Sequence, residues 1–336
     1  MLRIFFSSDD IARTRVAATA DPVWELILSL HLLQGRSYDP VMAGWRRDVT
    51  DALRRERQAN AGRLRLLFAL NPPRGYFPDF LTPYASRDGL EAGLDAIRST
   101  AVSRLNQDLT VLAADNVLPS SAASLARGEP DTLCHLADAM HTYRELAIEP
   151  YWSRILAAVE ADRSARARAL LDGGAEGLLA SLRPAMRWDA GVLEIANYPV
   201  DRDLRLDGRG ILLVPSFFCA ATPVSLLDPA LPPVLVYPVD RLGGLPVAPA
   251  ADGPPATREI GREALGALLG RTRAAVLEVA DVGCSTGEIA RRLSISQAAA
   301  SQHATVLRNA GLLVSRRDRN TVLHTLTPLG RAMLNR

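Results

Sequence analysis

Residues 285–326 read STGEIARRLSISQAAASQHATVLRNAGLLVSRRDRNTVLHTL, and the fold of the C-terminal part of the chain follows from these residues. Ser285 and Glu288 have the spacing of a capping box, in which each side chain bonds the backbone amide of the other residue. This pattern predicts the start of a short helix. A turn at residues 294–296 then leads into a longer helix, predicted over residues 297–310, which a glycine directly follows.

Two strands are predicted after the long helix, over residues 312–316 and 322–326, around a charged turn at residues 317–320. Further helices are predicted over residues 258–269, 271–280 and 329–334. A short helix, a tight turn, a longer helix and a basic hairpin form the plan of a winged helix-turn-helix. In that plan the second helix enters the major groove of DNA, and phosphate contacts position the protein on the duplex.

The long helix divides into an apolar face and a polar face. Ala300, Ala304, Leu307 and Ala310 are spaced to face the core. The other face carries the amide and hydroxyl side chains of Gln297, Ser301, Gln302 and Thr305. Such groups suit base edges, because glutamine bonds adenine in a bidentate manner. The residues expected to contact DNA are Thr286, Ser296, Gln297, Ser301, Gln302, His303, Thr305, Arg316, Arg317 and Arg319. The alternatives are a helix pair that binds protein, an arginine cluster at a solvated tip, and a His303 that is a surface histidine without a role.

Duplex DNA is favoured over single strands and RNA. All 18 aromatic residues precede residue 258, so the C-terminal segment has no ring on which bases could stack. Residues 258–336 hold 12 Arg against 6 acidic residues, whereas residues 1–257 hold 27 Arg against 31, which gives the net charge of +2 for the whole chain. The chain contains no Lys, which indicates the codon bias of a GC-rich genome. The distribution of charge is therefore more informative than the arginine content itself.

The length of 336 residues and the apolar fraction of 48% predict at least two domains, each with a hydrophobic core. The predicted fold class is α+β: a mostly helical N-terminal region with a small β-rich segment, then a C-terminal winged helix-turn-helix domain. Asp21 and Pro22 are expected to open a helix, and Gly173 with Gly174 to interrupt one. The predicted domains are residues 1–190 (helical, regulatory or dimerising), 191–240 (β-rich, packed on the first), 241–257 (a Gly/Pro linker) and 258–336 (DNA-binding).

A cytoplasmic, soluble protein is expected. The first residues, MLRIFFSSDD, place acids where a signal peptide needs an apolar core. The uncharged stretch over residues 211–227 contains Pro215 and Pro223 and is better explained by buried strands than by a membrane helix. Three distant cysteines, Cys134, Cys219 and Cys284, form no disulfide framework, and Cys219 is expected to be a buried small residue.

Residues 269–326 resemble the DNA-binding domain of ArsR-type bacterial transcriptional regulators, and residues 289–313, IARRLSISQAAASQHATVLRNAGLL, carry the most specific part of the likeness. The resemblance covers less than a quarter of the chain. It places residues 296, 297 and 301–303 on the DNA-facing positions and residues 316–319 on the wing. It departs at Ala304, where the family commonly has a larger apolar residue. More loosely, the whole chain resembles long actinobacterial regulators in which a large helical domain of unknown role precedes an ArsR-like domain.

Metal sensing, which many members of that family perform, is not expected here. Their cysteine pair is reduced to the lone Cys284, one thiolate does not hold a soft metal, and His324 stands alone in a predicted strand. A second cluster on one helix face, Cys134, Asp138, His141 and Glu145, is favoured as a hydrogen-bonded polar face over half of a metal site. No motif of a hydrolase, zinc protease or nucleotide-binding enzyme occurs, so neither a metal, a cofactor nor an enzymatic activity is expected.

The resemblance implies a repressor. A homodimer on an inverted-repeat operator in double-stranded DNA is expected, and its two-fold symmetry would place the two recognition helices about one helical turn apart. The N-terminal region is expected to sense a small-molecule effector or to mediate assembly. Its four tryptophans either line an apolar pocket or, as is favoured for each one, pack in the core. The main alternative is a DNA-binding scaffold whose N-terminal half binds a partner protein and no effector. An enzyme fused to a DNA reader is a third, weaker hypothesis.

Overall fold

The computed structural model describes residues 1–35, 39–59, 64–73, 75–220, 222–226, 228, 230–241, 265–280, 284–318 and 321–334. The chain separates into two compact units, Met1–Ala248 and Pro249–Arg336. The predicted linker at residues 241–257 lies, from residue 242 onward, outside the described residues. Each unit is described by itself.

Helices make up most of the N-terminal unit. They are α1 (Ser8–Arg13), α2 (Pro22–Gln34), α3 (Ala43–Ala59), α4 (Arg65–Leu70), α5 (Leu90–Arg98), α6 (Val102–Ala113), α7 (Ser121–Ala126), α8 (Pro130–Ala147) and α9 (Trp152–Ala180). Short 3-10 turns lie at Pro40–Met42, Asp79–Leu81, Tyr84–Asp88 and Glu149–Tyr151. None of the described helices is long and apolar enough to cross a membrane.

Local sequence signals determine where one of these helices starts and where another is interrupted. The predicted start of α2 is confirmed, because the Asp21 carboxylate accepts hydrogen bonds from the backbone amides of Val23 and Trp24, each at 3.0 Å, with Pro22 in the first turn. The predicted interruption is confirmed at Gly174, whose φ of 62° breaks the helical path inside α9. Glycine adopts this left-handed conformation without the steric cost of a Cβ atom.

The described residues of the N-terminal unit also form two four-stranded sheets. Sheet A contains β1 (Leu2–Phe5), β3 (Arg187–Asp189), β4 (Val192–Ile195) and β5 (Arg202–Arg205) in the order β3-β4-β1-β5. Sheet B contains β2 (Arg15–Val16), β6 (Leu212–Ser216), β7 (Val224–Ser225) and β8 (Val234–Pro238) in the order β2-β6-β8-β7. Each sheet takes one strand from the first 16 residues, so the β-rich segment pairs with the N-terminus rather than only with itself. The helices and small mixed sheets confirm the α+β class.

Sheet B lies between two cores. On β8, Val234 and Val236 pack into the helical core, whereas Leu235 and Tyr237 pack into the core under sheet A. Side chains alternate across a strand, so a strand with apolar layers on both faces has no polar positions. This burial accounts for the uncharged run that begins at Ile211.

The C-terminal unit is a small helical domain with a three-stranded sheet. Its elements are α10 (265–269), α11 (Arg271–Val279), β9 (Cys284–Ser285), α12 (Thr286–Leu293), α13 (Gln297–Asn309), β10 (Leu313–Asp318), β11 (Thr321–Leu326) and α14 (Pro328–Leu334). The sheet has the order β10-β11-β9 and is antiparallel throughout. Residues 317 and 318 were expected in the turn, but both belong to β10, because the pairing of Asp318 with Thr321 continues the ladder.

Candidate nucleic-acid interface

A capping box begins α12, as predicted. The Ser285 hydroxyl accepts a hydrogen bond from the backbone amide of Glu288 at 3.2 Å, and the Glu288 carboxylate accepts one from the Ser285 amide at 3.5 Å. Two of the backbone donors that a helix start leaves unpaired are thereby satisfied. Because Ser285 also belongs to β9, the start of α12 is held against the sheet.

A tight turn sets α13 at an angle to α12. Ser294 adopts the left-handed conformation with a φ of 53°, and the amide of Ile295 bonds the carbonyl of Ala290 at 3.0 Å. The Ser296 hydroxyl then caps α13 by accepting from the amide of Ala299 at 3.1 Å. The second helix of the pair therefore starts at a defined place and direction.

The two faces of α13 differ sharply in exposure. Ala300, Ala304 and Leu307 are buried against α11 and α12, with at most 1% of each residue exposed. The small alanines allow α12 to approach closely. The residues predicted to contact bases lie on the other face: Gln297, Ser301, Gln302 and Thr305 are exposed, and His303 is partly buried. These side chains present amides and hydroxyls to solvent along the helix.

The prediction that Ala310 faces the core is wrong. The residue is exposed, because α13 ends at Asn309 and Gly311 turns the chain with a φ of 73°. Beyond that point the helical period no longer applies. The backbone of Leu312 returns to the core, where its amide bonds the carbonyl of Leu307 at 2.9 Å.

Exposed arginines lie on both helices of the pair, and part of this positive charge was not anticipated from the sequence. Arg291 and Arg292 in the last turn of α12 are exposed, and each lies 3.7 Å from the Glu288 carboxylate. Arg308 on α13 is also exposed. Exposed ion pairs of this length contribute little energy, so both α12 guanidinium groups remain available to an anion. In the sequence, the signal for this basic cluster is the pair of adjacent arginines, which lies opposite the buried face of α12.

The hairpin β10–β11, called the wing below, holds the predicted phosphate contacts. The backbones of Arg316 and Arg317 lie in β10, paired with Leu323 and Val322 of β11. Their side chains and the whole of Arg319 lie outside the described residues. The wing is anchored at its start, because the first residue of β10, Leu313, belongs to the domain core.

His324 connects the wing to α12. Its Nε2 lies 2.9 Å from the Thr286 hydroxyl, and its Nδ1 lies 2.8 Å from the Ser315 hydroxyl. Only 5% of His324 is exposed; this burial lowers the pKa of the imidazole, and the positive charge of Arg308 lowers it further. The sequence indicates an isolated His324 and a Thr286 that contacts DNA, and it gives no sign that the two meet. The partners are distant in sequence and come together only when the sheet forms.

Three of the four tryptophans of the N-terminal unit pack in its cores. Trp24, Trp45 and Trp188 are at most 7% exposed. Trp152, at the start of α9, instead lines a cleft of about 370 Å³ between the first turns of α2 and α5 and the junction of α8 with α9. The guanidinium of Arg144 lies over the Trp152 ring, 5.2 Å from its centroid, and is ion-paired with Glu149.

The acidic and histidine cluster of α8 lies in a second cleft, of about 420 Å³. The Nε2 of His141 is 3.3 Å from Glu145, and its Nδ1 is 3.9 Å from Glu91 on α5. Cys134 lies on the same helix and is exposed. Within the described ranges, no group of three or more His, Cys, Asp or Glu side chains is arranged to hold a metal ion.

The two remaining cysteines are buried. Cys219 is in the helical core, as predicted, and burial raises the pKa of its thiol to about 12. Cys284 lies in β9, and burial raises the pKa of its thiol as well. A thiol that stays protonated at neutral pH is a poor nucleophile and a poor metal ligand.

Among solved structures, the chain is similar to reduced HlyU from Vibrio cholerae N16961, with 30% sequence identity and a TM-score of 0.20. The similarity covers 24% of this chain and 84% of that chain. No family model and no curated protein matches the chain.

Proposed function

We propose that this chain is a transcription regulator, without enzymatic activity, that binds double-stranded DNA sequence-specifically through its C-terminal unit. The observation that carries the proposal is the division of α13. Ala300, Ala304 and Leu307 are buried, while Gln297, Ser301, Gln302 and Thr305 are exposed on a helix that a capped turn sets against α12.

The dimensions of α13 suit the major groove. Its 13 residues extend over about 20 Å at a rise of about 1.5 Å per residue, and the groove admits a helix of this diameter. The small polar residues of the exposed face leave room for close approach to base edges. Gln302 is the proposed base reader, because a primary amide both donates to and accepts from the edge of adenine.

Phosphate contacts are assigned to the exposed arginines of α12 and α13 and to the arginines of the wing sequence. Arg291, Arg292 and Arg308 are exposed beside the helix pair, and the wing adds Arg316, Arg317 and Arg319. Neutralising phosphates in this way releases counterions, which makes the affinity depend steeply on salt. Such contacts position the protein without reading sequence.

The proposal extends to a dimeric repressor of the ArsR type on an inverted repeat, in the cytoplasm. Two-fold symmetry would place the two copies of α13 about 34 Å apart, which is one helical turn of DNA. The N-terminal unit would control this activity as an effector sensor or an assembly module. The cleft lined by Arg144 and Trp152 supports the sensor role, because its volume of about 370 Å³ lies in the range of small-molecule sites.

Sequencing of genomic fragments retained by the full-length protein at about 150 mM salt tests the DNA-binding function. We expect a recurring inverted repeat. The comparison variant is Gln302→Ala, whose retained fragments should share a sequence that is degenerate at the base pair that the amide contacts. Retention with no shared sequence by the parent protein would contradict a sequence-specific regulator and support the scaffold alternative.

A thermal-shift screen on the full-length protein separates the sensor from the scaffold. Only a ligand that binds the native state raises the melting temperature. An effector should raise it for the parent and much less for Trp152→Leu. The scaffold alternative predicts no shift with any small molecule.

A further inference from the structure

The imidazole of His324 spans the distance between the wing and α12. His324 lies in the middle strand of the three-stranded sheet, opposite Ser315 of β10 on one side and Cys284 of β9 on the other. α12 begins two residues after Cys284, at Thr286. Each ring nitrogen therefore has one hydroxyl partner, Ser315 at 2.8 Å and Thr286 at 2.9 Å.

The Ser315 hydroxyl, the His324 ring and the Thr286 hydroxyl share a small number of hydrogen-bonding protons. Burial and the charge of Arg308 lower the pKa of His324, which favours the neutral ring, and in a neutral imidazole one nitrogen donates and the other accepts. Each hydroxyl has a single proton. If Nδ1 carries the hydrogen, Nε2 accepts the proton of Thr286, and that hydroxyl has nothing left to donate. If Nε2 carries it, Thr286 only accepts from the ring and its own proton is free.

We infer that His324 is a positioning residue that makes Thr286 a donor to a DNA phosphate. In this arrangement the Nε2–H group of His324 donates to the Thr286 hydroxyl, and Nδ1 accepts from the Ser315 hydroxyl. A phosphate oxygen has no proton and only accepts, so the contact requires the Nε2–H tautomer. The inference rests on the proposed DNA-binding function and adds a link from the wing to the first turn of α12.

The position of Thr286 supports a phosphate partner. It is the first residue of an eight-residue helix, after the N-cap Ser285, and helix starts attract anions through their partial positive charge. In a winged helix-turn-helix, the first helix of the pair crosses the DNA backbone. The His324 ring is itself buried, so it acts on DNA only through the hydroxyl that it orients.

Two substitutions of His324 separate this role from a general structural one. The amide nitrogen of glutamine reaches the position of Nε2, and the amide of asparagine reaches that of Nδ1. His324→Gln should therefore keep the bond to Thr286, and His324→Asn should keep only the bond to Ser315. Affinity should fall in the order parent, His324→Gln, His324→Asn, with the asparagine variant about tenfold or more below the parent.

A double-substitution cycle tests whether the effect passes through Thr286. The probe is a duplex that the full-length parent selects from a random-sequence library. Thr286→Val and His324→Leu should each weaken binding by about tenfold, and the double variant should be no weaker than either one. Additive losses, equal binding by His324→Leu and the parent, or equal binding by His324→Asn and His324→Gln would overturn the inference.

If the His324 variants do not fold, substitutions of the two residues whose hydroxyls bond the ring test the inference instead. Thr286→Val should weaken binding by about tenfold, whereas Ser315→Ala, which leaves the Thr286 bond in place, should weaken it by less than about threefold. The reverse order would overturn the inference. A parent that selects no duplex overturns the proposed function and this inference together, whereas a parent that binds while Thr286→Val binds equally overturns the inference alone.

Discussion

The carboxylate of Glu25 accepts a 2.7 Å hydrogen bond from the backbone amide of Phe217. Its other oxygen accepts from the amide of Phe218 at 2.9 Å and from the hydroxyl of Ser216 at 3.0 Å. Glu25 is fully buried on α2, and its donors lie at the end of β6. One side chain thus joins the helical layer to sheet B. Burial raises the pKa of Glu25 to about 7, although these hydrogen bonds oppose the change.

The contribution of Glu25 to the stability of the N-terminal unit should decrease between pH 4.5 and 7. The pKa of Glu25 rises from 4.5 to about 7 on folding, so the folded state favours the protonated carboxyl. The corresponding contribution, about 3 kcal/mol, is complete below pH 4.5 and is lost as the pH rises through 7. Urea unfolding followed by tryptophan fluorescence measures it, because all four tryptophans lie in this unit.

Glu25→Gln cannot titrate and provides the comparison. The free energy of unfolding of the parent minus that of Glu25→Gln should fall by about 3 kcal/mol over this pH range. Glu160→Gln, at a side chain that is 66% exposed, is the control for removal of one carboxylate. A difference between the parent and Glu25→Gln that does not vary with pH would contradict the raised pKa.

Gly210→Ala should be far more destabilising than Gly208→Ala. Both glycines have left-handed backbones, with φ of 68° and 78°. A Cβ at Gly210 would lie 2.6 Å from the Cβ of Arg13 and 2.7 Å from its carbonyl oxygen, whereas one at Gly208 would have no atom within 4 Å. We expect a loss of about 1 kcal/mol at residue 208 and about 3 kcal/mol at residue 210 in urea unfolding. Equal losses of stability would show that the backbone around Arg13 shifts at little energetic cost.

Gln302→Ala should relax sequence preference. Preference at the base pair that the amide contacts should fall by about 1–3 kcal/mol, while binding to random duplexes stays unchanged. Selection from a random-sequence library, with base frequencies counted at each position, measures this. Asn309→Ala, at the far end of α13, is the matched control and should select the parent sequence. If the two variants select alike, Gln302 does not read a base.

The triple substitution of Arg316, Arg317 and Arg319 by Ala should weaken binding to all duplexes. The slope of log affinity against log salt should decrease in magnitude by about 2 to 3 per subunit, because each phosphate contact contributes about 0.9. Titrations at several salt concentrations with a selected and a random duplex measure the slope.

A charge-matched control uses the N-terminal unit. The exposed arginines to be replaced by Ala there are Arg54, Arg127 and Arg187. This variant loses the same formal charge but should keep the parental salt slope. A slope that changes equally in both variants would indicate an effect of net charge and would rule out the wing as the phosphate contact.

The local elements of the C-terminal unit could be predicted from the sequence because short-range interactions determine them. The capping box of Ser285 and Glu288, the turn before Ser296 and the apolar period of α13 each depend on residues a few positions apart. The failure at Ala310 has the same origin, since a period says nothing about where a helix ends.

The pairing of distant segments could not be predicted. β1 joins β4 and β5, about 190 to 200 residues later, and β2 joins β6 in the same way. The residues of β1, LRIF, are buried and partly exposed in alternation, which is typical of a strand but does not identify its neighbours. Pairing depends on how the intervening helices pack, and no local pattern carries that information.

Neighbouring residues are enough to specify the helix-turn-helix, the polar face of α13 and the location of basic charge, since helix caps, side-chain periodicity and composition are local properties of the chain. The partners of His324, the burial of Glu25 at the end of β6 and the position of Trp152 in a cleft are set by tertiary packing instead. Hydrogen bonds and burial depend on distances in space, and these are established when separate elements pack around a common core.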